Sequence, residues 1–307
     1  MNIDLVIVTF NRLEKLKKAL KCYDEQTGEF RNLIVVNNCS SDGTDVFLAE
    51  WQKVPSKYHR VVITAKENLG GSGGFYLGQK YALEHDADWV FLADDDAYAD
   101  KDMVKKFLDF HNQNDGEKYS AICAAVYDME GNIVLYHRDF YKIYRQHYLS
   151  RSSSQKEDYR KAFFEINFLS YVGSFVNVRA MRKYGLVNPK YFIYFDDSEH
   201  SLRLAKYGKL ICVPSIKITH EGGAESAQKN MDVITWRDYY LSRNEMNMLR
   251  KHFSFIALYQ LVRYYFVDYQ SNKDNPRFRL LFKAKCDGFF NRLGKHPIYK
   301  PGWSEKI

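Results

Sequence analysis

Between Ile3 and Ala93, short apolar runs alternate with stretches of helical periodicity, and this alternation excludes most folds. Ile3–Thr9, Leu33–Val36, Val61–Thr64 and Trp89–Ala93 are apolar or β-branched runs of strand length. Between them, residues 11–22 set Leu13, Leu16, Ala19 and Leu20 at helical spacing. Asp42–Gln52 reads as a helix entered through Ser-Ser-Asp-Gly, and Gly74–His85 carries Leu77, Tyr81 and Ala82 on one face. Strands separated by helical segments of about ten residues predict βαβ units and a mostly parallel sheet. Right-handed crossovers then bring the loops after the first, second and fourth strands to one rim, the edge of an open α/β sheet at which ligands bind.

Beyond residue 100 the signals thin out. Ala121–Tyr127 and Gly131–Tyr136 read as strands and turns, residues 150–160 as a mobile, polar surface loop, and Phe168–Val178 and Leu210–Thr219 as further strands. From Trp236 onward the chain becomes helical and aromatic. The expected organisation is therefore an α/β unit over 1–235 and a helical extension over 236–307. Charge follows the same division: residues 250–307 hold 12 Lys/Arg against 4 Asp/Glu, whereas residues 1–249 hold 33 against 34. A basic segment on a near-neutral body suggests an anionic partner, phospholipid or nucleic acid. The five cysteines are scattered and form no CxxC pair, which points to a reducing compartment and no structural zinc. Met1 leads directly into a strand without the basic start of a signal peptide, so a cytoplasmic protein is expected. Phe253–Val267 is interrupted by Gln260 and Arg263 and falls short of the roughly 20 apolar residues that a membrane span needs.

The fourth strand stops at three carboxylates, Asp94-Asp95-Asp96. Side chains alternate across a strand, so Asp94 and Asp96 can point one way and Asp95 the other. Two carboxylates converging on a cleft repel unless a cation sits between them, and oxygen ligands suit Mg²⁺ or Mn²⁺; an acidic strand-to-loop turn is the plainer alternative. The second strand runs into Asn37-Asn38-Cys39-Ser40-Ser41-Asp42-Gly43-Thr44, a set of short polar groups that could face a heterocyclic base or simply cap a helix. Asn68-Leu69-Gly70-Gly71-Ser72-Gly73-Gly74 precedes a helix and allows close backbone approach to an anion. It lacks the Gly-Lys-Ser/Thr ending of a P-loop and does not follow the first strand, as a dinucleotide fingerprint would. Tyr194-Phe195-Asp196-Asp197-Ser198-Glu199, after a short aromatic strand, offers a general base toward a hydroxyl or acids that complement a helix dipole. His220, ending Leu210–Thr219, is a candidate metal ligand.

Taken in order over roughly residues 3–225, these segments resemble the family 2 inverting glycosyltransferases. The resemblance implies an α/β GT-A fold: a Rossmann-like nucleotide-binding half with a mixed central sheet, here followed by a helical C-terminal extension. It implies nucleotide-sugar binding by Thr9, Phe10, Asn11 and Arg12, by Asn38, Ser40 and Asp42, by Asn68, Gly70 and Gly71, and by Asp94 and Asp95. It implies Mn²⁺ or Mg²⁺ on Asp94, Asp96 and His220. Asp197 is implied as the base that deprotonates the acceptor hydroxyl, supported by Asp196 or Glu199, with Gly173 and Ser174 lining the acceptor site. The triple Asp, Phe195-Asp196-Asp197-Ser198-Glu199 and Tyr239-Tyr240-Leu241-Ser242-Arg243-Asn244 look most like the galactofuranosyl- and rhamnosyltransferase branch, which implies a UDP-galactofuranose, UDP-hexose or dTDP-rhamnose donor. Asn37 stands where the family often has Asp, which bears on the base and ribose contacts. The chain lacks the Gln-x-x-Arg-Trp motif and membrane helices of processive synthases, so addition of one or a few sugars is expected, onto a glycan or a polyprenyl-diphosphate-linked acceptor.

On a helix from Arg277, the residues Phe278, Leu281, Phe282 and Phe289 share one side, with Arg277, Arg279, Lys283, Lys285 and Arg292 around them. Such a helix can lie in an anionic membrane interface or pack on the body with its cations in water; a homo-oligomer also stays open. Two rival functions remain. Nucleic-acid binding through the tail is disfavoured by the acidic cleft, so no nucleic-acid partner is expected. A metal-dependent nucleotidyltransferase would normally show a glycine-rich loop after the first strand, where this chain has Thr9-Phe10-Asn11-Arg12.

Overall fold

The computed structural model describes residues 1–144, 148–222 and 233–306. The first half is the expected βαβ succession: β1 (Ile3–Thr9), α1 (Leu13–Asp24), β2 (Asn32–Asn37), α2 (Thr44–Trp51), β3 (His59–Thr64), α3 (Gly70–Glu84) and β4 (Trp89–Asp94). These four strands are mutually parallel in the order β3-β2-β1-β4. In register, Thr9 pairs with Asn37, Asn37 with Thr64, and Val8 with Asp94, so the strands end level and their loops share a rim. Ile3, Leu5 and Ile7 of β1 face a core with Leu16, Leu20 and Tyr23 of α1, while Val6 and Val8 face a second core under α3. Burial on both faces is why these strands read as unbroken apolar runs.

The second half widens the sheet. β5 (Ala97–Ala99) and α4 (Met103–Gln113) precede β6 (Tyr119–Tyr127); β7 (Arg138–Tyr144) and β8 (Tyr148–Ser153) form a hairpin; β9 (Phe164–Ile166), β10 (Phe168–Leu169), β11 (Ser174–Asn177) and α5 (Val178–Tyr184) follow; then come α6 (Asp196–Leu204) and β12 (Lys209–His220). The large sheet runs β3-β2-β1-β4-β11-β6-β12-β5, with β9 added on β12. β11 is antiparallel to both β4 and β6, which makes the sheet mixed.

Several sequence expectations change here. The polar stretch 150–160 is not a loop throughout: residues to Ser153 form β8, because the backbone pairs with β7 and Arg151 pairs with the buried Asp139. Gly131–Tyr136 makes a single bridge, Tyr127 to Ile133, and runs into a 3₁₀ turn at Leu135–His137. The strand expected over Phe168–Val178 is broken at Gly173, whose φ of 74° leaves extended geometry. Helix α3 starts at Gly70, four residues early, so most of the glycine-rich segment is its first turn. Gly74 and Gly78 turn toward β1, where an added Cβ would come within 2.4 Å of Val8 Cγ1 and 2.2 Å of Val6 Cγ1.

The C-terminal part comprises β13 (Val233–Thr235), α7 (Trp236–His252), α8 (Ser254–Arg263), a π-helical turn at Tyr264–Tyr269, α9 (Pro276–Phe289) and β14 (Ser304–Lys306), which pairs with β13. Thr235 and Asp238 form a reciprocal capping box at the start of α7. The basic helix resolves into the packed alternative. Leu280 and Ala284 of α9 are buried with Tyr239 and Tyr240 of α7, and Phe278 and Phe282 stack on Tyr264 and Tyr269. The bare apolar residues lie elsewhere, on α8 and the turn after it: Phe255, Leu258, Val262, Phe266 and Val267, with Phe255 90% exposed. Among the described residues no helix is long and apolar enough to cross a membrane.

Candidate active site

A cleft of about 670 Å³ opens where the parallel strands end. Thr9, Phe10 and Arg12 enter it after β1, Asn38 after β2, Asn68, Gly70 and Gly71 from the entry to α3, and Asp94 and Asp95 from the end of β4. The opposite wall is Phe192–Ser198, and His220 closes one side. The rim loops are wired to one another. The Asn38 amide donates to Gly70 C=O at 3.0 Å and Asn68 Oδ1 at 3.2 Å, and Asn38 Oδ1 accepts from the Leu69 amide.

The three carboxylates divide as expected, although β4 ends at Asp94 and the division is made by the turn at Asp95 and Asp96 that leads into β5. Asp95 turns under the loop after β1, where it accepts from Thr9 Oγ1 at 2.7 Å and pairs with Arg12. Burial pushes its carboxyl up to about 7, against the opposing pull of Thr9 and Arg12. Asp94, Asp96 and His220 converge: each offers one ligand atom, and these atoms lie within 4.8 Å of one another. Burial disfavours charge on Asp96, but the hydrogen bond and charge of His220, with Arg12 and Lys15, outweigh it and hold the carboxyl at about 2. Asp94 has no such help: burial, with the repulsion of Asp96, raises it despite the pull of His220 and Arg12. Its carboxylate accepts no hydrogen bond from the described residues. Beside it, His137 Nε2 is buried without a partner among the described residues, its ring edge-on to His220 at 5.2 Å. Two carboxylates, an imidazole and an orphaned buried nitrogen fit a divalent cation that accepts both oxygen and nitrogen ligands.

Across the cleft, Asp196 and Asp197 start α6. Burial raises both carboxyls; for Asp196 the charge of Asp197 adds to it, whereas for Asp197 the hydrogen bonds from Ser198 and the charge of Arg151 hold it lower. The pair therefore titrates above the ordinary carboxylate range, with burial favouring the proton on Asp196 over Asp197, the more exposed of the two. No aromatic strand precedes them. The segment is a 3₁₀ turn, Pro189–Tyr191, followed by left-handed residues at Phe192, Tyr194 and Phe195.

Residues 4–185, more than half of the chain, match the family described as glycosyl transferase family 2. The chain belongs to that family. Over 95 residues it is 41% identical to the galactofuranosyltransferase GlfT1 of Mycobacterium tuberculosis, a stretch covering 31% of this chain and only 30% of that protein. Over 264 residues it is 25% identical to the dTDP-rhamnosyl transferase RfbF of Shigella flexneri, covering 82% and 81% of the two chains. Among solved structures, GalNAc-T7 with UDP, GalNAc and Mn²⁺ is similar at a TM-score of 0.63 and 12% identity, covering 94% of this chain and 54% of that one. S. aureus TarS 1-349 in complex with UDP-GlcNAc reaches 0.61 at 13% identity, covering 95% and 81%. At such identities these structures establish the fold, the mixed α/β GT-A arrangement with a helical C-terminal part.

Within this family 2 chain, not every expected site residue reaches the cleft. Asn11, Ser40 and Asp42 brace the rim from behind: Ser40 Oγ accepts from the Asn11 amide, Asn11 Oδ1 from the Ser41 amide, and Asp42 from the Leu13 amide at the start of α1. Gly173, in the turn before β11, and Ser174, the first residue of that strand, do not line the cleft. An added Cβ on Gly173 would meet Ile218 at 2.7 Å, and Ser174 is fully buried, its hydroxyl donating to Ser170 C=O. Glu199 is corrected most clearly. Two residues after Asp197 on a helix, it points to a different face, where Arg203 Nε binds both its oxygens at 3.0 Å and His252 Nε2 lies at 3.3 Å. The reverse omission is larger. Tyr136, His137 and Arg151 reach the cleft from the β7–β8 side, and Trp236, Arg237, Leu241 and Pro301 from the C-terminal part. Only the Tyr239–Asn244 resemblance hinted at a role for α7.

Proposed function

We propose that the chain is an inverting glycosyltransferase that moves a hexose from a UDP or dTDP donor, UDP-galactofuranose or dTDP-rhamnose first among them, to a hydroxyl of a glycan or lipid-linked acceptor in cell-surface polysaccharide synthesis. The observation that carries this reading is one cleft onto which the nucleotide rim, Asp94 and His220, and the Asp196–Asp197 pair all face, with the buried Asp96 completing the cluster of Asp94 and His220. The names of the relatives support the choice of donors. Asp94, Asp96 and His220 would hold the cation, and the imidazole favours Mn²⁺ over Mg²⁺. When bound, the cation neutralises charge gathering on the departing diphosphate. Arg12 and Lys15 hold Asp96 ionised and in place. Asp197, charged at neutral pH, accepts the proton of the attacking hydroxyl while Asp196 stays neutral beside it. Attack from the face opposite the leaving group inverts the anomeric centre.

The protein works, in this reading, at the cytoplasmic face of the membrane as a peripheral protein. The bare Phe255, Leu258, Val262 and Phe266 on α8 and the turn after it supply the apolar contact, and the net-positive tail the attraction to anionic lipid. The test of the core proposal is a screen of UDP- and dTDP-sugars for Mn²⁺-dependent turnover, followed by calorimetry of the matching nucleotide. Asp96→Ala should abolish metal-dependent binding. Unchanged affinity and unchanged Mn²⁺ dependence in that variant would overturn the assignment.

A further inference from the structure

The backbone leading into the acid pair is held in a conformation that its residues disfavour. Phe192, Tyr194 and Phe195 have φ of 68°, 66° and 61°, and none is glycine. Bulky residues adopt the left-handed region rarely, and keep it only where the surroundings over-determine it. Here those surroundings are the side chains of α7, which lies outside the 4–185 family match.

The Asn244 amide nitrogen lies 2.9 Å from Tyr191 C=O, 2.7 Å from Ile193 C=O and 3.0 Å from Tyr194 C=O, so its two N–H groups serve three carbonyls of the left-handed stretch. Arg243 Nε donates to Asn244 Oδ1 at 2.9 Å, which fixes which end of the amide faces the carbonyls. The same guanidinium reaches Tyr191 C=O at 3.0 Å and Gly294 C=O at 2.6 Å, and rests 4.6 Å from the centre of the Tyr240 ring. One turn on, Asn247 Oδ1 accepts from Tyr191 OH at 2.9 Å. All three α7 side chains are buried. The segment they grip meets the nucleotide loop on its other side. Phe192 C=O accepts from the Ser72 amide, and it occupies the space a Cβ on Gly70 would need, at 2.0 Å.

We propose that Arg243 and Asn244 are positioning residues for glycosyl transfer: they fix the left-handed approach that aims Asp196 and Asp197 into the cleft. The α7 helix is thus a working part of the site, beyond being an appended layer. The inference rests on the reading of Asp197 as the base, and the experiment separates the two.

Asn244→Ala, Asp197→Asn and the double variant are compared, with Arg243→Lys as a second probe. Arg243→Lys keeps the positive charge but loses the Nε contact that orients the amide. The readouts are melting, UDP–Mn²⁺ affinity by calorimetry, and kcat and KM for the donor found by the screen above, UDP-galactofuranose being tried first. For folded Asn244→Ala we expect UDP–Mn²⁺ affinity within about threefold of wild type and kcat lower by roughly 10²-fold, with little change in donor KM. Because the groups act as one unit, the double variant should be no slower than the slower single variant. Arg243→Lys should show the same split, more weakly. A folded Asn244→Ala with wild-type kcat, losses that multiply in full in the double variant, or failure of both Asn244→Ala and Arg243→Lys to fold would each overturn the proposal, the last by making the pair mere framework. If Asp197→Asn turns over normally while Asn244→Ala loses kcat alone, the base assignment fails and the positioning role stands.

Discussion

The glycine face of α3 gives a prediction whose size follows from the geometry. An added Cβ on Gly78 would sit 2.2 Å from Val6 Cγ1, whereas ordinary contacts begin near 3.4 Å, so Gly78→Ala forces α3 and β1 apart by roughly 1.2 Å. Val6 is β-branched, stiff at χ1 and wholly buried, so it has little room to turn away. Overpacking of this kind costs about 1–3 kcal/mol, and alanine returns about 0.8–1 kcal/mol through better helix propensity. A clash this deep against a stiff side chain puts the cost in the upper part of that range, about 2–3 kcal/mol, so the expected net loss is about 1–2 kcal/mol in urea unfolding. Val6→Ala alone removes two buried methyl groups, worth about 1.6 kcal/mol in transfer before any cavity term. In the double variant the new methyl enters the space that Val6 vacates, so the two losses should fall short of additivity by about 1–2 kcal/mol. The first turn of α3 carries Gly70 and Gly71 into the cleft, so UDP affinity should fall in Gly78→Ala and recover in the double variant. Additivity within about 0.5 kcal/mol, or a Gly78→Ala protein as stable as wild type, would refute the reasoning.

Three further outcomes are expected. Asp197→Asn should lower kcat by roughly 10²–10⁴-fold with UDP binding intact; since burial raises Asp197 above the ordinary carboxylate range, the wild-type rate should fall with decreasing pH in a limb well above pH 4, and an acidic limb near pH 4 would contradict the buried pair. Glu199→Gln should act on stability more than on chemistry, because it removes the charge paired with Arg203 while Arg203 keeps its bonds to the Tyr184, Gly185 and Leu186 carbonyls: a loss of about 1.5–3 kcal/mol is expected in equilibrium unfolding. The folded Glu199 carboxyl is depressed to about 2, so this contribution is present above its unfolded pKa near 4.5 and fades as pH drops toward 2; a Glu199→Gln enzyme of normal stability but no turnover would restore Glu199 to the chemistry. Phe255→Ser with Phe266→Ser should release the protein from anionic liposomes at low salt without lowering its melting temperature, and wild-type protein that ignores such liposomes would remove the membrane reading.

The βαβ half was legible in the sequence because its physics is local. β1, β2 and β4 are buried on both faces, their helices repeat at helical spacing, and parallel register brings Thr9, Asn38 and Asp94 to one level. The separation of Asp95 from the converging Asp94 and Asp96 was expected too, though a turn after β4 and not strand alternation produces it. The far side of the cleft was not legible, for reasons that are equally physical. The β7–β8 hairpin does not alternate apolar and polar residues; it is held by backbone pairing and by Asp139 with Arg151, so Arg151 read as loop. Glu199 looked equivalent to Asp197 in a string of acids, and only helical rotation turns it to Arg203. The conformation at Phe192–Phe195 depends on side chains some fifty positions away, a distance no local pattern encodes.

That distance has a consequence in time. A ribosome delivers β1 through α6 before any of α7, and Arg243 takes up its full set of bonds only once Gly294 has emerged to meet it. Asn247 likewise waits for Gly288 and Asn291. The nascent chain can thus form the rim of the cleft early, while the approach to Asp196 and Asp197 still lacks the bonds that hold it. Synthesis from N- to C-terminus orders the two, and the approach is complete only when the residues after α9 have left the exit tunnel.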